Sequence, residues 1–469
     1  MPPRERKTFT HITQGILGRV IWKISLPMIG AALLQDLFSL VDLFFVGRLG
    51  HIAVAALSIS GAVVSILIMF GIGIATGTTA LVGHFVGKGD YESADNTIFQ
   101  AIVFSVICSV VMVFVGLFLA EPLLRLFGAS GEIIAPAVDY LRITFVGSIF
   151  IFLYMSLSQG LSGSGDVKTP VKILVIANIL NIILDPLLIF GIGPFPAMGV
   201  AGSAFATVAT RAVGLGILFY HMAFSRSSAI HLHRGIYKVN FRIMGRIINI
   251  GMFASLQELL RDISYLLLMR LVTSFGPVVL AAYGIGQRLR MAIMVPGMGM
   301  ANATGIVMAQ NLGSGQRDRA HKAGWAAVRL YEFIAIPTGI LFLLFAPRLI
   351  GIFSSNFEVI KEGASFLRWT ALTFPFLAFA LVLSNGINGV GDTIAPAVMT
   401  ACFQLGMRIP LCYIFAHGAG FGSTGIWIGF NLPIVLQALV MVWYFRRGFW
   451  EKRYLRHRRI LEEEPEHIH

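Results

Sequence analysis

Residues 160–170 read GLSGSGDVKTP and residues 386–396 read GINGVGDTIAP, so that Gly160, Gly163, Gly165, Asp166 and Pro170 return as Gly386, Gly389, Gly391, Asp392 and Pro396. The offset is 226 residues, and it holds elsewhere without gaps. Gly71 and Gly73 fall on Gly297 and Gly299; Gly87, Gly89 and Ala94 fall on Gly313, Gly315 and Ala320. Leu141-Arg142 falls on Leu367-Arg368, Phe127 on Phe353, Thr144 on Thr370 and Gly199 on Gly425. One register kept over so long a span marks an internal duplication, and the chain reads as two homologous halves.

Composition says what kind of halves these are. Of 469 residues, 56% are hydrophobic and only 13% charged, against roughly 25% charged in a soluble chain. A soluble enzyme is excluded. A span takes ~20 apolar residues, and apolar runs bounded by Gly, Pro or charge predict helices over 21–46, 52–80, 98–119, 136–158, 168–191 and 199–222, then 246–273, 279–308, 324–346, 362–385, 394–416 and 424–445. The expected fold is all-α and polytopic, with twelve transmembrane helices. Because six is even, each half enters and leaves on one face, so the two six-helix lobes are expected to share an orientation about a pseudo-twofold along the membrane normal. A cleft between the lobes, opened alternately by rocking, is then the expected substrate path.

The domain reading is a segment 1–20, an N-lobe 21–222, a linker 223–245, a C-lobe 246–445 and a tail 446–469. Lys and Arg total 36 against 23 for Asp and Glu, a net charge of +13. Arg4, Arg6, Lys7 and Arg19, the linker residues Arg226, Arg234, Lys238, Arg242 and Arg246, then Arg317, Arg319, Lys322 and the run from Arg446 to Arg459 all fall on one side of the expected bundle. The opposite loops hold Arg48, Arg125, Arg348 and Lys361. The positive-inside rule makes the richer side cytoplasmic, with both termini there, and topology accounts for the charge without nucleic acid as a partner. Cys108, Cys402 and Cys412 lie in apolar runs with no ligand spacing, and the N-terminal segment lacks the pattern of a cleaved signal peptide.

Acids inside a span are costly and usually line water or find a partner. The first helix holds Asp36 and Asp42. The fifth holds Asn178, Asn181 and Asp185, three and four residues apart and so on one helical face, with Thr207 of the sixth placed to complete an oxygen-rich cluster. The duplication supplies an internal control: Asp36 maps to Asp262, but Asp42 maps to Leu268, Asp185 to Leu411, Asn181 to Met407 and Thr207 to Pro433. Packing acts similarly on both members of a pair, so an acid cluster kept in one half points to a chemical task there. Carboxylate, amide and hydroxyl oxygens suit a proton or a hard cation such as Na⁺. The competing structural reading has Asp42 and Asp185 bonding backbone groups freed near Pro27 and Pro186. In the seventh helix Glu258 and Asp262 stand four apart, with Arg261 placed to neutralise one of them.

No G-x-x-x-x-G-K-[ST] occurs, and Asp166 stands where a phosphate-binding lysine would, so ATP is not expected to drive the protein and no cofactor is expected. No G-x-S-x-G or H-E-x-x-H is present either.

These residues resemble the multidrug and toxic compound extrusion (MATE) family of secondary transporters, nearest its archaeal and DinF-like branch, over nearly the whole chain. The resemblance is carried by Leu26-Pro27 and Gln35 ahead of Asp42-Leu-Phe-Phe-Val-Gly47, by Asn181-Ile-Ile-Leu-Asp185-Pro186, by Gly199-Val-Ala-Gly202 through Thr207, and by the duplicated Gly-x-Gly-Asp segments. It implies a multi-pass carrier in a prokaryotic cell membrane that functions as a monomer and exports organic, often cationic compounds against inward H⁺ or Na⁺. It implies that Asp42, Asn181, Asp185 and Thr207 bind the coupling ion, that Gln35 lies near the substrate cavity, and that Pro27 marks a bend in the first helix. Asp36 and Asn178 join Gln35 and Pro27 as this sequence's candidates for the substrate cavity and its gating. Glu258 and Asp262 are secondary candidates, since a second branch of the family places acids in the seventh and tenth helices and the tenth here has none. The rival readings are a flippase for lipid-linked saccharides or polyprenyl compounds, which would require cationic side chains at the cavity, and a channel, whose flux would ignore a counter-ion gradient.

Overall fold

The computed structural model describes residues 11–225, 228–232 and 238–453, which form helices and connections with no strand among them. Arg4, Arg6, Lys7, Arg226, His233, Arg234, Arg456, Arg458, Arg459 and the closing segment 462–469 lie outside the described residues. After a single turn at His11–Gln14, the first half contains α1 (Leu17–Gly47), α2 (His51–Lys88), α3 (Tyr91–Leu126), α4 (Gly131–Val146 with Ser148–Gly163, bent by 49°), α5 (Lys168–Phe190) and α6 (Val200–Phe224). The second contains α7 (Phe241–Thr273), α8 (Pro277–Gly313), α9 (Arg317–Gly351), α10 (Phe357–Ala371 with Phe374–Gly389, bent by 54°), α11 (Ile394–Gly418) and α12 (Gly422–Arg446).

Among the described residues nine of these helices are long and apolar enough to cross a membrane, and the two bent pairs bring the number to eleven. The twelfth, α7, has 33 residues but carries Arg242, Arg246, Glu258, Arg261, Asp262 and Arg270 along its length. The bends recur at equivalent places in the duplication. In α10 the break precedes Pro375, which sits in the first turn of the second segment, where its missing N–H leaves no hydrogen bond unmade. Where the apolar runs end, the helices continue: α2 extends to Lys88 and α3 begins at Tyr91, so both pass well beyond the hydrophobic stretch.

The duplicated segment forms the sharp connections into α5 and α11. Gly165 and Gly391 adopt φ of 102° and 92°, a left-handed backbone that side chains disfavour. The acid that follows each glycine is buried and tied down. Asp166 accepts from the Thr169 N–H at 3.2 Å and from its hydroxyl at 2.8 Å. Asp392 accepts from the Tyr444 hydroxyl at 2.5 Å and pairs with Arg453 at 3.1 Å. Asp166 is thereby fastened to the start of α5 and Asp392 to the end of α12 and the residues after it.

Packing divides the chain into two units that do not follow its linear order. Of the described residues, the first comprises 11–13 and those of Gly30–Ser255; the second comprises Gln14–Ile29 and 256–453. The first half of α1 therefore belongs to the second unit and the first half of α7 to the first, whereas a contiguous N-lobe of 21–222 and C-lobe of 246–445 would keep each helix whole. Glycines make this exchange sterically feasible. A Cβ on Gly73 of α2 would stand 2.7 Å from the carbonyl oxygen of Gly251 in α7, and one on its repeat mate Gly299 of α8 would stand 2.8 Å from the backbone nitrogen of Ile29 in α1. Ser255, the mate of Ile29, donates its hydroxyl to the Met69 carbonyl at 2.8 Å. The described parts of the segment between α6 and α7 lie on α3: Asp95 accepts from the His231 N–H at 2.9 Å, and Gln100 bonds the Lys238 carbonyl at 2.9 Å and the Asn240 N–H at 3.0 Å.

Candidate functional site

Helices α1, α5 and α6 of the first unit bring buried oxygen atoms together. Asn178, Asn181 and Asp185 share the buried face of α5 that their spacing predicts, with Asp185 fully buried. With its amide nitrogen turned toward the carboxylate, Asn181 donates to Asp185 Oδ2 at 2.7 Å, and its oxygen accepts from the Thr207 backbone N–H at 3.2 Å. Across from this pair, Ser203 of α6 donates its hydroxyl to Asp42 Oδ1 of α1 at 2.5 Å. A charge-assisted bond of this length fixes the Asp42 side chain against α6. The two carboxylates thus stand on two helices and are both linked to a third. About one turn along each helix from these groups, Val46, Ile189 and Val200 join Ala53 in a buried hydrophobic cluster, against which Tyr140 of α4 packs.

Two of these residues escape a reading of the sequence by polar spacing alone. Ser203 sits one turn before Thr207; it supplies the hydroxyl, while Thr207 contributes its backbone N–H. Tyr140 looks like one aromatic among many. The duplication carries the missing signal: Ser203 maps to Gly429 and Tyr140 to Phe366, so each loses its hydroxyl in the half that lacks the acids.

The remaining sequence candidates separate. Asn178 donates to the Leu34 carbonyl at 3.4 Å and links α5 to α1. Gln35, the residue after Leu34, accepts from Arg211 at 3.1 Å, and that guanidinium also lies over the Tyr154 ring at 5.1 Å. Asp36 is exposed. Pro27 lies in the part of α1 that packs with the second unit, where it denies an N–H to the Lys23 carbonyl. Glu258 pairs with Arg261 at 2.9 Å on α7, and Asp262 beside them is exposed; neither joins the α1–α5–α6 pocket.

The side-chain ligands gathered here, the Asp42 and Asp185 carboxylates with the Ser203 hydroxyl, are all oxygen, and among the described residues no three of His, Cys, Asp and Glu converge. Such a set suits a proton or a hard alkali cation over a transition metal. Two carboxylates drawn from water into one pocket repel each other, and a positive charge between them offsets that repulsion.

Comparison with known proteins agrees with the duplication and the fold. The MatE family model matches twice, over residues 27–187 and again over 254–414. A protein named as a probable multidrug resistance protein, NorM of Thermotoga maritima, is 28% identical, with 92% of each chain covered. A protein named as an FAD transporter of Shewanella oneidensis is also 28% identical, over 86% of this chain and 88% of its own. Among solved structures, a MATE transporter in a bent conformation superposes with a TM-score of 0.89 at 25% identity, covering 96% of this chain and all of that one. Twelve helices in two duplicated lobes, with a family model matched in each, establish that the chain belongs to the MatE family of multi-pass membrane transporters and is not an enzyme.

Proposed function

We propose that this protein exports organic compounds across a prokaryotic cell membrane, with both termini in the cytoplasm, in exchange for H⁺ or Na⁺ bound between Asp42 and Asp185. The observation that carries the reading is the acid pocket itself: a paired carboxylate site, built on three helices and absent from the otherwise duplicated second half. The ion and the cargo favour different arrangements of the protein, so binding of either promotes release of the other. One positive charge moving inward down ~100 mV releases about 2.3 kcal/mol, before any concentration gradient is counted. The names of the relatives support export of varied compounds, and the relative named as an FAD transporter, whose cargo carries a pyrophosphate, supports including anions among them.

The test is ethidium efflux from proteoliposomes under separately imposed pH and Na⁺ gradients. Efflux should follow one gradient and stop when that gradient is collapsed. Efflux that persists with neither present would refute exchange and favour a channel. In the same assay, Ser203→Ala should slow driven efflux by about tenfold, because a hydrogen bond to a charged group contributes about 1.5–3 kcal/mol. A wild-type rate would remove the α6 hydroxyl from ion handling.

A further inference from the structure

The second unit has its own asymmetry, of opposite sign. Arg408 of α11 is only 7% exposed, yet its Nε has no hydrogen-bond partner and its one bond is from Nη1 to the Ser264 hydroxyl of α7 at 3.4 Å. Ser264 is committed as a donor to the Gln404 carbonyl, so it can only accept from the arginine. Arg290 of α8 makes one weak contact, to the sulfur of Met294 at 3.6 Å. Both guanidinium groups lie over the same ring, Phe430 of α12, at 4.8 Å for Arg408 and 5.3 Å for Arg290, close enough to repel one another. Each guanidinium carries five N–H donors, and no carboxylate among the described residues forms an ion pair with either.

Depth makes this arrangement costly. Arg408, Ser264, Phe430 and Arg290 each lie about ten residues inside the ends of their helices, ~15 Å at 1.5 Å per residue, hence well within the hydrocarbon core. Arginines there are expected to meet an acid or serve a function. Arg261, on the same α7, has Glu258; Arg290 and Arg408 have none. A packing role does not account for them either, since their repeat mates are Val64 and Ile182. The backbone is also specialised. A π-helical segment, Thr400–Met407, ends immediately before Arg408, whereas the equivalent helix α5 is regular throughout. π-helical turns in α-helices recur at functional sites, where they re-aim the residue that follows. Aromatic rings back the pair: Tyr265, 45% exposed, packs on the buried Tyr283, which meets Phe430 edge-on at 6.4 Å.

We propose that the second unit holds an anion-binding site, in which the guanidinium groups of Arg290 and Arg408, with Ser264, take the carboxylate or phosphate of an aromatic organic anion while the exposed Tyr265 receives its ring. This deepens the export reading by naming a cargo class. The anion supplies the acceptors that the protein withholds and neutralises a like-charged pair that otherwise lies in a low-dielectric interior.

The test uses full-length protein in phosphatidylcholine nanodiscs and fluorescein, an aromatic carboxylate, as the probe, with binding read by fluorescence anisotropy. Wild-type protein should bind it saturably. Arg408→Gln and Arg290→Gln should each weaken binding by about tenfold or more, and Arg408→Lys, which keeps the charge, should restore most of it. Unchanged affinity in both glutamine variants overturns the proposal. Loss of fluorescein binding when phosphatidylglycerol replaces phosphatidylcholine overturns it too, by assigning the arginines to a lipid headgroup. No gradient is imposed, so the outcome stands apart from that of the efflux experiment: fluorescein can bind whether or not ethidium export proves to be coupled.

Discussion

Asp42→Asn is expected to reduce gradient-driven ethidium efflux from proteoliposomes to the rate of protein-free vesicles, a loss of about tenfold or more. The substitution is nearly isosteric, and the asparagine oxygen can still accept the Ser203 hydroxyl, so the link between α1 and α6 survives. What disappears is the charge. Without it the pocket holds one carboxylate, Asp185, already engaged by Asn181, and a cation entering from water no longer recovers in the pocket what it loses in hydration. The fold should not be the casualty, because Leu268, the repeat mate of Asp42, fills the equivalent place in the second half. Asp185→Asn should act in the same direction. Glu121→Gln, which breaks only an exposed pair with Arg125, serves as the control and should leave efflux within about twofold of wild type. Efflux by Asp42→Asn at the wild-type rate under either gradient would remove this acid from coupling.

Gly73→Leu and Gly299→Leu should each destabilise the protein by about 3 kcal/mol or more, seen as an early collapse of the monodisperse peak when the detergent-solubilised protein is heated. The clash in each case is with backbone, at the Gly251 carbonyl and the Ile29 nitrogen, and so cannot be relieved by a rotamer change. Overpacking of this kind costs several kcal/mol when helices must separate. Gly61→Leu is the comparison within α2: nothing lies within 4 Å of a Cβ there, and the position is exposed. Its melting should match that of the wild type. Equal melting of the Gly61 and Gly73 variants would show that the close approach of α2 to α7 is not required for stability.

The twelve helices were readable because a span needs a fixed length of apolar chain, and because the duplication places each helix twice. Even α7, too charged to qualify by hydropathy, is required by the position of α1. Helix ends were less readable, since α2 and α3 continue as helix after the apolar run stops and hydrophobicity no longer reports on them. The exchanged halves of α1 and α7 left only a faint trace. Gly73 and Gly299 are visible as a repeated pair, but a glycine does not announce which helix it lets approach. At the acid pocket, charge made Asp42 and Asp185 conspicuous. Ser203 and Tyr140 differ from Gly429 and Phe366 by little more than a hydroxyl, which becomes informative only when the two halves are compared position by position.

The reciprocal loan of helix segments bears on how the chain can be divided. A cut between α6 and α7 would leave each six-helix half with an opening segment, Gln14–Ile29 in the first and the start of α7 up to Ser255 in the second, whose packing partners are encoded by the other half. Neither half should therefore fold to its native packing when expressed alone, and the two expressed as separate chains should be recovered together.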